Sequence, residues 1–155
     1  MCLLYTESDK GSSPLLPTII LAIALTGCAI RQTPIRAIED LGILETVVSG
    51  SPTYLIRNKI IQGCYKNDLE VEDKEDIICS KELSGTEEYV AEVTLGSIYS
   101  ATPRINLQFQ LENVQDDVKV NITPSYSVKT PDNRIYSVQI KSLEILNRLR
   151  KLLEV

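Results

Sequence analysis

The 155-residue chain contains no histidine. That absence removes the usual general base near neutral pH, the Ser-His and Cys-His nucleophile pairs, and the commonest transition-metal ligand. Serines and carboxylates remain, but no Gly-x-Ser-x-Gly stretch accompanies them, so a hydrolase ranks last among the functions considered. The chain also lacks a basic block and any excess of aromatic residues, and its net charge is −5. A nucleic-acid binder needs a cationic surface to displace counterions, so that class is excluded. Nor does an acidic protein gain electrostatically from anionic lipid headgroups. Internal repeats and low-complexity tracts are absent. What is present is ordinary globular composition, 43% hydrophobic and 24% charged, in a length that supports one domain with a core.

The amino-terminal region has an apolar stretch from Leu15 to Leu25, eleven residues long. A helix that spans a bilayer needs ~20 such residues, whereas the hydrophobic part of a secretory signal needs only about ten. The stretch runs into Leu25-Thr26-Gly27-Cys28. This tetrapeptide resembles the lipobox of bacterial lipoproteins, residue by residue. The resemblance implies that Cys28 receives diacylglycerol on its sulfur, that cleavage falls between Gly27 and Cys28, and that the new amine is acylated. The residue types suit that chemistry: small side chains let a peptidase close on the backbone, and a thiolate forms the thioether. Upstream, Glu7 and Asp9 stand against Lys10, a less positive start than such signals usually have. Residue 29 is Ala, not Asp, and by the family's sorting rule in enteric-type bacteria this implies the outer membrane, periplasmic face. The expected organisation is a signal peptide over 1–27, a lipidated tether over 28–42 in which Pro34 breaks any early helix, and a single domain over 43–155.

Within the domain, "ILETVVSG" (43–50) reads as a strand. Ser51 and Pro52 then open a helix as N-cap and first helical residue. Ile56, Ile60 and Cys64 share one face of it at four-residue spacing, and Asn67 and Asp68 end it. The stretch "DLEVEDKED" (68–76) carries six carboxylates and one lysine. Asp68, Glu70 and Glu72 have the alternate spacing of calcium-loop ligands, but Asp73 stands where glycine is needed and Cys79 where glutamate is needed. A solvated acidic loop is therefore expected there. Four strands should follow: one with Ile77, Cys79 and Leu83; one through Tyr89, Ala91, Val93 and Leu95; one with Ile105, Leu107, Phe109 and Leu111; and one with Val118, Val120 and Ile122. Pro124 suggests an edge or a bulge in the last. Leu143, Leu146, Leu149 and Leu153 form the stripe of a closing amphipathic helix, with Ser142 as its possible N-cap and basic residues in its last turns.

One-sided alternation places one face of each strand on a core and the other in water, the mark of an antiparallel sheet. The expected fold is α+β, with order β-α-β-β-β-β-α and two helices on one face. Asn106, Gln108, Gln110, Lys119, Asn121 and Thr123 then line the wet face, either as a binding surface or as an ordinary solvated one. "NIT" (121–123) matches a glycosylation acceptor, but it falls on that strand surface. Cys64 and Cys79 lie on inward faces of neighbouring elements. They are either a disulfide, which the extracytoplasmic location permits, or two small buried core residues, and their shared facing favours the bridge. Two cysteines without histidine offer no metal set, and no cofactor is expected.

The order of elements resembles the helix-grip or START-like architecture found in small periplasmic domains of several outer-membrane lipoproteins. The stretch "SIYSATPRINLQF…DVKVNI" is also similar to small lipoproteins carried by phages and prophages. The resemblance spans roughly 45–153 in pattern and brings no catalytic motif with it. It implies a fold and an origin, and no function. The first functional expectation is a non-enzymatic outer-membrane lipoprotein that meets the membrane through its lipid and binds another envelope protein by its sheet edge or wet face. The second expectation is a carrier of a small apolar ligand held between the sheet and the terminal helix.

Overall fold

The hydrophobic alternation of residues 104–128 dictates the centre of the molecule. In the computed structural model, which describes residues 31–96 and 101–153, these residues form a long antiparallel hairpin. Its strands are β6 (Arg104–Val114) and β7 (Asp117–Lys129). The turn between them holds only Gln115 and Asp116, with Gln115 at a left-handed φ of 58°. The other strands are β1 (Arg31–Gln32), β2 (Arg36–Ile38), β3 (Ile43–Ser49), β4 (Glu70–Asp73), β5 (Ile77–Glu82) and β8 (Ile135–Gln139). Three helices complete the fold: α1 (Thr53–Lys66), α2 (Thr86–Leu95) and α3 (Leu143–Leu153). The fold is α+β, one open antiparallel sheet of eight strands in the order β1-β3-β7-β6-β5-β4, with β2 also on β3 and β8 also on β7.

Register makes the core continuous across strands. Ile77, Phe109, Ile122 and Leu44 stand side by side in one row, and all four are fully buried. α1 packs on β4, β5 and β6, α2 on β7 and β8, and α3 on β2 and β3. The buried residues Ile56, Ile60, Ala91, Leu95, Leu146 and Leu149 join those rows in a single cluster, so all three helices cover the same face. The one buried polar residue on that face of β3, Thr46, donates its hydroxyl to the Thr33 carbonyl at 2.7 Å, which removes the cost of burying it.

Several expectations need correction. Residues 31–42 are not a free tether: β1 and β2 pair with β3, and Ile35 is buried in the core. The acidic stretch is not all loop, because β4 pairs with β5 over Glu70–Asp73 and places Val71 opposite Cys79. α1 begins one residue later than expected. Pro52 is its N-cap, Leu55 N–H donates to the Pro52 carbonyl at 3.0 Å, and the buried Ser51 hydroxyl caps nothing. The strand expected through Tyr89–Leu95 is α2. Ala91 and Leu95, four apart, are buried, while Tyr89 and Val93 are 66% and 60% exposed, a pattern only a helical period gives. Gly96, at φ 84°, ends α2 in the left-handed conformation. Among the described residues the α-helices number three rather than two.

Pro124 sits neither at an edge nor in a bulge but inside the central strand β7. On one side of β7, β3 covers residues 117–122 and β8 covers 125–129. Pro124 directs its carbonyl to that side, where it accepts from Ile140 N–H at 3.0 Å, so its missing N–H falls in the gap between the two partner strands. Gln139 closes the same gap by donating its side-chain amide to the carbonyls of Leu41 at 2.7 Å and Gly42 at 3.1 Å. Gly42 is at φ 62°, and a Cβ there would meet the Ile140 carbonyl at 2.9 Å, so only glycine fits this seam.

The structure joins Cys64 of α1 to Cys79 of β5, with Cα atoms 6.0 Å apart, and both residues are fully buried. Closing a loop of 15 residues restricts the unfolded chain enough to stabilise the fold by ~3 kcal/mol. The double variant Cys64→Ala/Cys79→Ala should therefore lose ~2–4 kcal/mol in urea unfolding. The native protein should resist dithiothreitol until denaturant opens it.

A second prediction concerns α2. Glu87 has one carboxylate oxygen buried without a hydrogen-bond partner. Burial pushes its pKa from 4.5 up to about 7, against the opposing charge of Lys81. The folded form thus holds a proton that the unfolded form releases, so this contribution is complete below pH 4.5 and is lost as pH rises through about 7. Thermal melts of Glu87→Gln should match wild type near pH 4.5 and exceed it at pH 8. Identical pH profiles for the two proteins would contradict the assignment.

Candidate functional site

With three helices on one face, the other face of the sheet is left uncovered by the described residues. Over β4 to β8 this face forms an open trough of about 740 Å³. Its floor follows from register. Ser80, Asn106 and Ser125 form one row across β5, β6 and β7, and Arg104, Ser127 and Ser137 form the next across β6, β7 and β8. Glu70 and Glu72 on β4 wall one side, and Lys129, Asn133 and Ile135 around the β7–β8 turn wall the other.

The floor is ordered by its own hydrogen bonds. Asn106 donates to the Ser127 hydroxyl at 2.8 Å. Arg104 donates to Ser80 Oγ at 3.2 Å and pairs with Glu70 and Glu82, tying β4, β5 and β6 together by their side chains. Gln108 and Gln110 both donate to Asp76 Oδ2, at 2.6 Å and 3.1 Å. These contacts fix the side chains without filling the trough.

Farther along the same face, Glu45 receives Lys119 at 2.7 Å and Arg36 at 3.0 Å. The Lys119 hydrogen bond, helped by the charges of Lys119 and Arg36, holds the Glu45 carboxyl below its usual range despite partial burial. The same contact raises the Lys119 ammonium. This cross-strand triad lies on the uncovered face, with Arg36 exposed and Glu45 the most enclosed of the three.

Of the six wet-face residues expected as a binding surface, Asn106 and Gln108 line the trough. Gln110 turns to Asp76, Lys119 turns to Glu45, and Asn121 and Thr123 lie between, outside the trough lining. Sequence reading missed Ser80, Arg104, Ser125 and Ser127. The alternation of "NITPSYS" carries the signal for two of them, since Asn121, Thr123, Ser125 and Ser127 keep one parity through Pro124. Lipidation at Cys28 and cleavage after Gly27 fall outside the described residues.

Chemically, the trough offers amides, hydroxyls, charges of both signs and the aliphatic side chains of Val71, Ile78, Val128 and Ile135. Among the described residues no group of three or more cysteines and carboxylates is placed to hold a metal ion. Among them, too, no helix is long and apolar enough to cross a membrane. Comparison with protein families, with curated proteins and with solved structures finds no match for the chain.

Proposed function

We propose that this chain is an extracytoplasmic lipoprotein, anchored through Cys28 at the periplasmic face of the outer membrane. Its domain binds another envelope protein through the uncovered sheet face and performs no catalysis. The lipobox resemblance supports the anchor. The observation that carries the binding role is the trough, a concave surface with a hydrogen-bonded polar floor and aliphatic side chains among its lining, which none of the described helices covers.

An extended or irregular polypeptide segment suits such a surface. Amides and hydroxyls on the floor match main-chain donors and acceptors, and among the described residues β4 pairs with β5 alone, which leaves its outer edge beside the trough for strand addition. A lipid anchor adds to affinity by raising the local concentration of the domain near membrane-bound partners. The carrier alternative needs room between the sheet and α3. Leu146, Leu149 and Leu153 are buried there, and the open volume lies on the opposite face.

Two experiments in cells test this reading. Alkyne-palmitate labelling should mark the wild type and not Cys28→Ser; equal labelling of both would end the anchor. A photoreactive amino acid at Gln108 or Ser125 should yield discrete higher-mass adducts, and one at the exposed Gln62 of α1 should yield none. Absence of adducts from the trough, or equal adducts from both faces, would contradict the assigned surface.

A further inference from the structure

One end of the sheet gathers exposed apolar side chains beside the point where the chain leads back to Cys28. Arg31 pairs with Ser49, Ser49 with Asp117, and Asp117 with Val114, so β1, β3, β7 and β6 all meet at this end. The α1 amino terminus is fastened to the same end, because the Thr53 hydroxyl donates to the Asn113 side-chain oxygen. The next two residues, Tyr54 and Leu55, are 64% and 38% exposed, and Val114 in the hairpin is 46% exposed. Tyr54 and Leu55 stand on the helix-covered side of this end, whereas Val114 has the parity of Asn106 and Gln108 and stands on the uncovered side, so exposed apolar side chains flank one pole from both faces of the sheet.

Three peptide steps separate Cys28 from Arg31. Even fully extended they span only ~10 Å, which limits how far this pole can stand from a lipid carried on Cys28. The opposite pole cannot reach that lipid. Arg31 lies level with Asp117 of β7, whereas the trough row at Ser127 is ten residues farther along the strand. That is roughly 30 Å at the rise of an extended strand.

We propose that the pole bearing Tyr54, Leu55 and Val114 rests on the lipid surface and sinks these side chains into the headgroup layer. The inference rests on the anchor at Cys28. Aromatic side chains with a polar tip favour that layer, and the aliphatic pair adds buried apolar area. Asp116 and Asp117 in the same hairpin outnumber Arg31 beside them and disfavour anionic headgroups, so the surface it fits is zwitterionic, as with phosphatidylethanolamine. Held this way, the domain stands upright on its anchor and directs the trough away from the bilayer toward partners.

The chain contains no tryptophan, so a single introduced one reports its own surroundings. Tyr54→Trp and Tyr89→Trp, both at exposed positions, are purified as full-length lipidated chains and reconstituted into phosphatidylethanolamine–phosphatidylcholine vesicles containing brominated acyl chains. The proposal expects blue-shifted emission and loss of most of its intensity for Trp at position 54, and neither for position 89. Vesicle flotation separates the two layers of the argument. Chains that fail to float refute the anchor and the pole with it. Floating chains in which position 54 stays unquenched, or in which both positions are quenched alike, leave the anchor standing and overturn the orientation.

Discussion

The β6–β7 hairpin is the constraint on which the remainder of the molecule depends. Each of its strands alternates buried and open side chains over at least seven residues, and the two pair without a break from Val114 opposite Asp117 to Arg104 opposite Ser127. Because side-chain direction in a strand has a period of two, a slip of one residue would turn Ile105, Leu107 and Phe109 to water and bury Asn106 and Gln108 instead. That penalty fixes the register, and the register then fixes the rows that β3 and β5 extend. Every helix is placed by the need to cover the same rows. The uncovered polar face is the necessary other side of this arrangement.

Two covalent or steric devices hold the periphery to that centre. The Cys64–Cys79 bridge fastens α1 to β5 across the acidic segment, where β4 contributes little apolar surface of its own. At the far side, Pro124, Gln139 and Gly42 close the seam between β3 and β8, so that two short strands serve as one neighbour for the long β7. A sheet built from unequal strands is thereby completed with the residue that lacks a main-chain donor, Pro124, placed at the join.

Much of this was legible in the sequence, for reasons that particular residues make clear. β6 and β7 announce themselves because a half-buried strand must alternate, and the four-residue stripe of Ile56, Ile60 and Cys64 identifies α1 in the same way. α2 deceived because "EYVAEVTL" satisfies two periods at once: Tyr89, Ala91, Val93 and Leu95 alternate, while Ala91 and Leu95 also fit a helical step. Only tertiary packing, which buries the second set and exposes Tyr89 and Val93, decides between them. β4 was hidden because carboxylates disfavour strands in isolation, and this one persists by pairing Val71 with Cys79. The trough was half legible. Alternation gives Asn106 and Gln108, but Arg104 and Ser80 belong to it through cross-strand register, which no single segment encodes.

If the hairpin is the organising element, local openings should spare it. Native-state amide hydrogen exchange on the purified protein tests this directly. Amides at 105–111 and 118–123 should exchange only through global unfolding, with free energies equal to that from denaturant melts. Those of β1, β2, β4 and β8 should exchange faster through partial opening of the sheet edges. Slower exchange in the helices or edge strands than in β6 and β7 would contradict the account.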